Sequence, residues 1–180
     1  YGGGDGARVT GSVAVTVNND NTGAENTFKS IYGGGKGADV TGDSTVTVML
    51  PNKADKPSFS LDTISGSGTD AAGGLADNVT GTKNVSIAMK DAGSTGILQL
   101  MNLTGFDNLT LGDASAKKFD DSVFKVKSRF DSKATDPAGA EERTGKVILK
   151  ASSLILNGNY QGHIGSMEVN GISSLSIHKI

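Results

Sequence analysis

The stretch YGGGDGARVTGSVAVTV (Tyr1 to Val17) returns 31 residues later as YGGGKGADVTGDSTVTV (Tyr32 to Val48), identical at 12 of 17 positions. A unit of this size cannot bury its own apolar face and must lay it on a neighbour, so the repeat restricts the fold more than any other property of the chain. Stripped down, it reads apolar, Thr, Gly, three variable residues, apolar, Thr or Ser, apolar. That template fits Val9-Thr10-Gly11 with Val15 and Val17, Val40-Thr41-Gly42 with Val46 and Val48, and Val79-Thr80-Gly81 with Val85 and Ile87. It fits again at Leu103-Thr104-Gly105 with Leu109 and Leu111, and at Val169-Asn170-Gly171 with Leu175 and Ile177. A degenerate sixth copy, ILKASSLIL, aligns Ile148, Leu154 and Leu156 and sets Lys150 in the glycine place.

Inside each copy apolar residues alternate with Thr or Ser, the period of 2 that marks a strand with one buried face. Val and Thr suit a pleated surface. A glycine between two such runs fits a corner that needs positive φ or close backbone approach. Each copy therefore reads as strand, corner, strand. A third extended stretch precedes most copies: TFKSIY (Thr27 to Tyr32), SFSLDTI (Ser58 to Ile64), ILQL (Ile97 to Leu100), VFKVKSRF (Val123 to Phe130) and YQGHIG (Tyr160 to Gly165). The copies follow at intervals of 31, 39, 24, 45 and 21 residues. Such spacing suits a stack whose loops vary at a corner. PNKADKPS, SGSGTDAAGGLADN, DASAKKFDD and DSKATDPAGAEERTG are polar, hold all three prolines, and read as excursions from it. AGAEERTGK (Ala138 to Lys146) offers at most a turn or two of helix.

These features predict an all-β chain, specifically a right-handed parallel β-helix (solenoid) of about six irregular coils; a β-sandwich is the alternative, because strand periodicity alone does not prove parallel pairing. Residues 1–180 are expected to form a single solenoid domain. Because YGGG lies inside a repeat, a chain opening on Tyr1 reads as a fragment of a longer repeat protein. A formal net charge of −2 argues against a nucleic-acid binder. No apolar run approaches the roughly 18 to 20 residues that cross a bilayer, so no membrane-spanning segment is expected here. There is no cysteine, and so neither disulfide nor thiolate metal site.

The phrase IYGGGKGADVTGDSTVTV (Ile31 to Val48) resembles the Gly-rich repeats of bacterial adhesin-like surface proteins, and is similar to the passenger regions of autotransporters. The close match covers the first 48 residues and the looser template the rest. The resemblance implies a secreted or cell-surface (extracytoplasmic) protein with a role in cell adhesion. Its expected function is to project and present binding surface without catalysis, to an anionic glycan or to a host or cell-surface protein.

Several patterns invite a sharper chemistry. GGKGAD (Gly34 to Asp39) begins like the calcium-binding nonapeptide, but Thr41 stands where a large apolar residue belongs and the first copy has Arg8 in place of the aspartate, so a backbone corner is the preferred reading. NNDNTGAEN (Asn18 to Asn26) offers oxygen donors for a hard cation, as do Asp62, Asp70 and Asp77. Asn and Asp are equally at home in turns, where they bond their own backbone. His163 and His178 are expected at a surface or edge; no HExxH supplies a zinc site and no GxSxG a nucleophile elbow. No metal and no cofactor is expected. The competing reading is a carbohydrate-active β-helix enzyme, a polysaccharide lyase or glycosidase, for which Asp120, Asp121, Lys125, Lys127, Arg129 and Asp131 provide the residue types. Alternation puts Phe124, Val126, Ser128 and Phe130 inward, leaving Lys125, Lys127 and Arg129 as an outward cation row, the candidate ligand-binding site.

Overall fold

The computed structural model describes residues 1–18, 29–51, 58–90, 97–112, 122–135, 144–157, 162–171 and 173–178. Among them every regular element is a strand. In chain order these are β1 (Val13–Asn18), β2 (Ser30–Tyr32), β3 (Ser44–Pro51), β4 (Ser58–Ser65), β5 (Gly68–Thr69), β6 (Leu75–Ala76) and β7 (Lys83–Lys90). They continue with β8 (Ile97–Thr104), β9 (Asn108–Gly112), β10 (Ser122–Asp131), β11 (Gly145–Lys150), β12 (Ser152–Asn157), β13 (Ile164–Asn170) and β14 (Ser174–His178).

Apart from the small antiparallel pair β5–β6, the strands form two six-stranded sheets, and the chain visits them alternately. The first sheet runs β1-β3-β7-β9-β11-β13, the second β2-β4-β8-β10-β12-β14. All pairings in both are parallel, as successive repeats demand when each adds one strand per sheet in the same direction.

Register turns the repeat into rows of like side chains. In the first sheet Val15, Val46, Val85, Leu109, Val147 and Met167 stand in line, and beside them Val17, Val48, Ile87, Leu111, Leu149 and Val169. In the second, Leu98, Phe124, Leu154 and Leu175 form one row and Leu100, Val126, Leu156 and Ile177 another. The interior members of both sheets belong to one apolar cluster, to which Phe106 and Phe130 add a tilted ring pair 5.7 Å apart. Val48 and Ile87 are fully buried, and the flanking Thr47 and Ser86 are only partly covered, as the alternation predicts.

The rows also correct the sequence reading. Equivalent places in the template imply one continuous row, in which Leu154, Leu156, Leu175 and Ile177 would prolong that of Val46, Val85 and Leu109, but they lie on β12 and β14 in the opposite sheet. There Val147 and Leu149, then Met167 and Val169, carry the first sheet onward. The template describes a strand, a corner and a strand wherever they occur, and here they occur at different corners. Gly42 leads into the first sheet; Gly105 joins β8 to β9; Gly171 joins β13 to β14. In the degenerate copy the corner residue is Ala151, not Lys150, and it carries the positive φ, 46°, otherwise confined to glycine among the described residues. Nor are Leu175 and Ile177 interior: at the edge of the stack they are 41% and 57% exposed.

Candidate functional site

Strand β10 carries the three cations singled out from the sequence, and its geometry separates them. Its pairing with β8 slips between Val126 and Arg129, so the alternation breaks there. Lys127 and Ser128 are both exposed, and Ser128 does not face inward as expected; Phe130 is buried again. Lys125 lies between Gln99 of β8 and Ile155 of β12. Beyond the slip, Arg129 turns from the row and sets Nη2 2.9 Å from Oδ2 of Asp131.

Asp131 is the centre of a polar cluster that joins Arg129, Lys133 and His163. Its side chain is fully buried, at the end of β10. Besides Arg129, it accepts hydrogen bonds from the backbone N–H groups of Lys133 (3.0 Å) and His163 (3.1 Å), and its Oδ1 lies 2.9 Å from Nδ1 of His163. A buried carboxylate requires this many donors, since each unmade bond costs about 1 to 3 kcal/mol. Ser132 adds a bond from its hydroxyl to the His163 carbonyl, 2.7 Å. The group thus ties the end of β10 to the residue that precedes β13. An Asp–His pair can orient an imidazole as a base, but the hydroxyl beside it donates to a carbonyl, so Ser132 is held as a structural donor. His163 is therefore a partner in an interior network and not a plain surface residue, whereas His178 is exposed on β14. Sequence inspection could not have paired Asp131 with His163 across 32 positions.

The glycine corners serve close approach. A Cβ on Gly2 would stand 2.5 Å from the carbonyl oxygen of Gly33, one on Gly34 2.6 Å from the amide of Gly68, and one on Gly81 2.5 Å from the carbonyl of Gly42. Glycine lies on glycine from one repeat to the next. The third repeat braces the corner with Asn78, whose Nδ2 donates to the carbonyls of Gly35 (2.8 Å) and Thr69 (3.3 Å). In GGKGAD, accordingly, Gly34 and Gly37 pack against the next repeat and Gly35 against Ala38 and the Gly4 carbonyl of the preceding one, and Lys36 bridges Asp5 and Thr69.

The acidic candidates have local duties. Asp70 closes the turn of the β5–β6 excursion by accepting from the Gly74 amide, 2.8 Å. Asp77 accepts from the amide of Ala134, 3.2 Å, linking that excursion to the segment after β10. Asp62 is exposed, with its amide bonded to the Lys29 carbonyl. On the first sheet Lys146 pairs with Glu168, 3.1 Å; hydrogen bonds from Asn170 and then Lys146 hold the Glu168 carboxyl below its ordinary range. Among the described residues no three His, Asp or Glu converge on a metal position, and no helix is long and apolar enough to cross a membrane. The Asn19 to Asn26 part of the donor-rich loop, Asp120, Asp121, and Ala138 to Arg143 lie outside the described residues.

Set beside known proteins, the chain matches no family model, no curated protein and no solved structure.

Proposed function

We propose that this chain is a non-catalytic repeat segment of a bacterial cell-surface, adhesin-like protein, wound as a right-handed parallel β-helix, which projects and presents binding surface. The observation that carries the reading is the stack itself, in which parallel rows and glycine-on-glycine corners account for most of the positions that recur from repeat to repeat. The Asp131 cluster supports a structural role over a catalytic one, because its carboxylate is enclosed by Arg129, His163 and two amides. Binding falls to the outward cations Lys125 and Lys127 of β10, whose charge suits an anionic glycan.

A glycan array carrying sulfated and uronic-acid oligosaccharides tests this. The wild-type chain should bind in a salt-sensitive manner, and Lys125→Gln with Lys127→Gln should remove the binding. Salt-insensitive binding, or binding that survives both substitutions, rules out the patch. Release of unsaturated products from a polyuronate would establish a lyase in place of a presenting segment.

A further inference from the structure

The first two repeats are near copies, yet their outer faces differ in what covers them. Val46 and Val48 are fully buried under β1, whereas Val15 and Val17, the same residues one repeat earlier, are only partly buried against the core. Tyr1 stacks on Tyr32 with ring centroids 4.9 Å apart and planes 16° from parallel, while remaining 54% exposed. The first repeat thus shows outward the surface that the second presents to the first: a tyrosine face, a glycine corner and two valines.

Charge sharpens the description. Asp5 lies in register with Lys36, and the Val9–Val40 bridge sets Arg8 beside Asp39. The two charged places of the YGGG segment therefore alternate in sign between these neighbours. A segment laid on the first repeat with the same alternation carries Lys opposite Asp5 and Asp opposite Arg8, the pattern of Tyr32 to Val48 itself.

We infer that the outer face of the first repeat, formed by Tyr1, Asp5, Arg8, Val15 and Val17, is a docking surface for a further repeat segment of the YGGGKGADVTG type. Such a segment adds a parallel strand to β1 and stacks a tyrosine on Tyr1. A second molecule joining by its last repeat is a poorer occupant: residues 158–163 separate β12 from β13, against residues 33–43 between β2 and β3, so that repeat cannot match the YGGG side. The inference rests on the stacking order and not on the glycan role, and failure of the glycan array leaves it standing.

The chain is titrated with a synthetic peptide of residues 29–50 while amide hydrogen exchange is followed along Val13 to Asn18. Saturable protection of those amides is expected. A peptide with Lys36→Asp and Asp39→Arg should bind about threefold more weakly at low salt, with the difference lost at high salt. Because a short peptide must order itself to bind, a second chain carries residues 32–48 followed by residues 18–31 joined ahead of Tyr1. Its β1 amides should exchange at least about tenfold more slowly, as those of an inner strand do. Unchanged β1 exchange in this extended chain, or equal binding by both peptides at low salt, overturns the inference. So does self-association of the unmodified chain that Leu175→Lys and Ile177→Lys abolish, since that gives the face to a second copy.

Discussion

Gly34 has no room for a methyl group: the side-chain oxygen of Asn78 lies nearest, and beside it stands the backbone of Ser67 and Gly68 in the next repeat, which cannot rotate away. Gly34→Ala should lower stability by about 1 to 3 kcal/mol, the usual cost of forced overpacking, as read from the midpoint of urea unfolding. Arg129 invites a contrast with Lys127. Arg129→Gln removes a charged donor from a fully buried carboxylate and should cost about 1 to 3 kcal/mol, whereas Lys127→Gln, on an exposed side chain, should stay within about 0.5 kcal/mol. Equal effects of the two would show that the Asp131 network is not what holds the end of β10. The glycines were legible in the sequence because their spacing recurs and close approach is one of the few reasons for an invariant glycine. The Asp131–His163 contact was not, because nothing local marks two residues whose strands meet only after the chain has travelled through both sheets.

At the scale of elements, alternation identified the strands and their buried faces, but not which sheet each joins. The segments around Gly105 and Gly171 fit the same template of apolar, polar and glycine places, yet one turns from the second sheet to the first and the other turns back. Period-2 hydrophobicity reports that a strand has an inside; it carries no label for the sheet opposite. The slip in β10 is invisible for a similar reason, since a bulge is settled by the partner strand and not by the residues that bulge. Position in the stack then sets energetic weight. Leu109, fully buried between Val85 and Val147, should lose about 2 to 5 kcal/mol on truncation to Ala, and Leu175→Ala, at a half-covered edge, distinctly less. Denaturant midpoints of the two variants, measured side by side, check the order.

Across the whole molecule each strand of the two large sheets exchanges ladder hydrogen bonds only with the strands before and after it in its sheet, so protection should be graded. Amide exchange is expected to be slowest in β7, β8, β9 and β10 and fastest in β1, β2, β13 and β14, and a uniform profile would contradict nearest-neighbour stacking. The parallel ladders have a mechanical side as well. Hydrogen bonds between successive repeats point along the stacking direction. Tension between the two ends of the stack therefore loads one interface after another in series instead of sharing the load among all of them. A chain held at one end and pulled at the other should yield repeat by repeat, lengthening in steps while the repeats still stacked keep their shape.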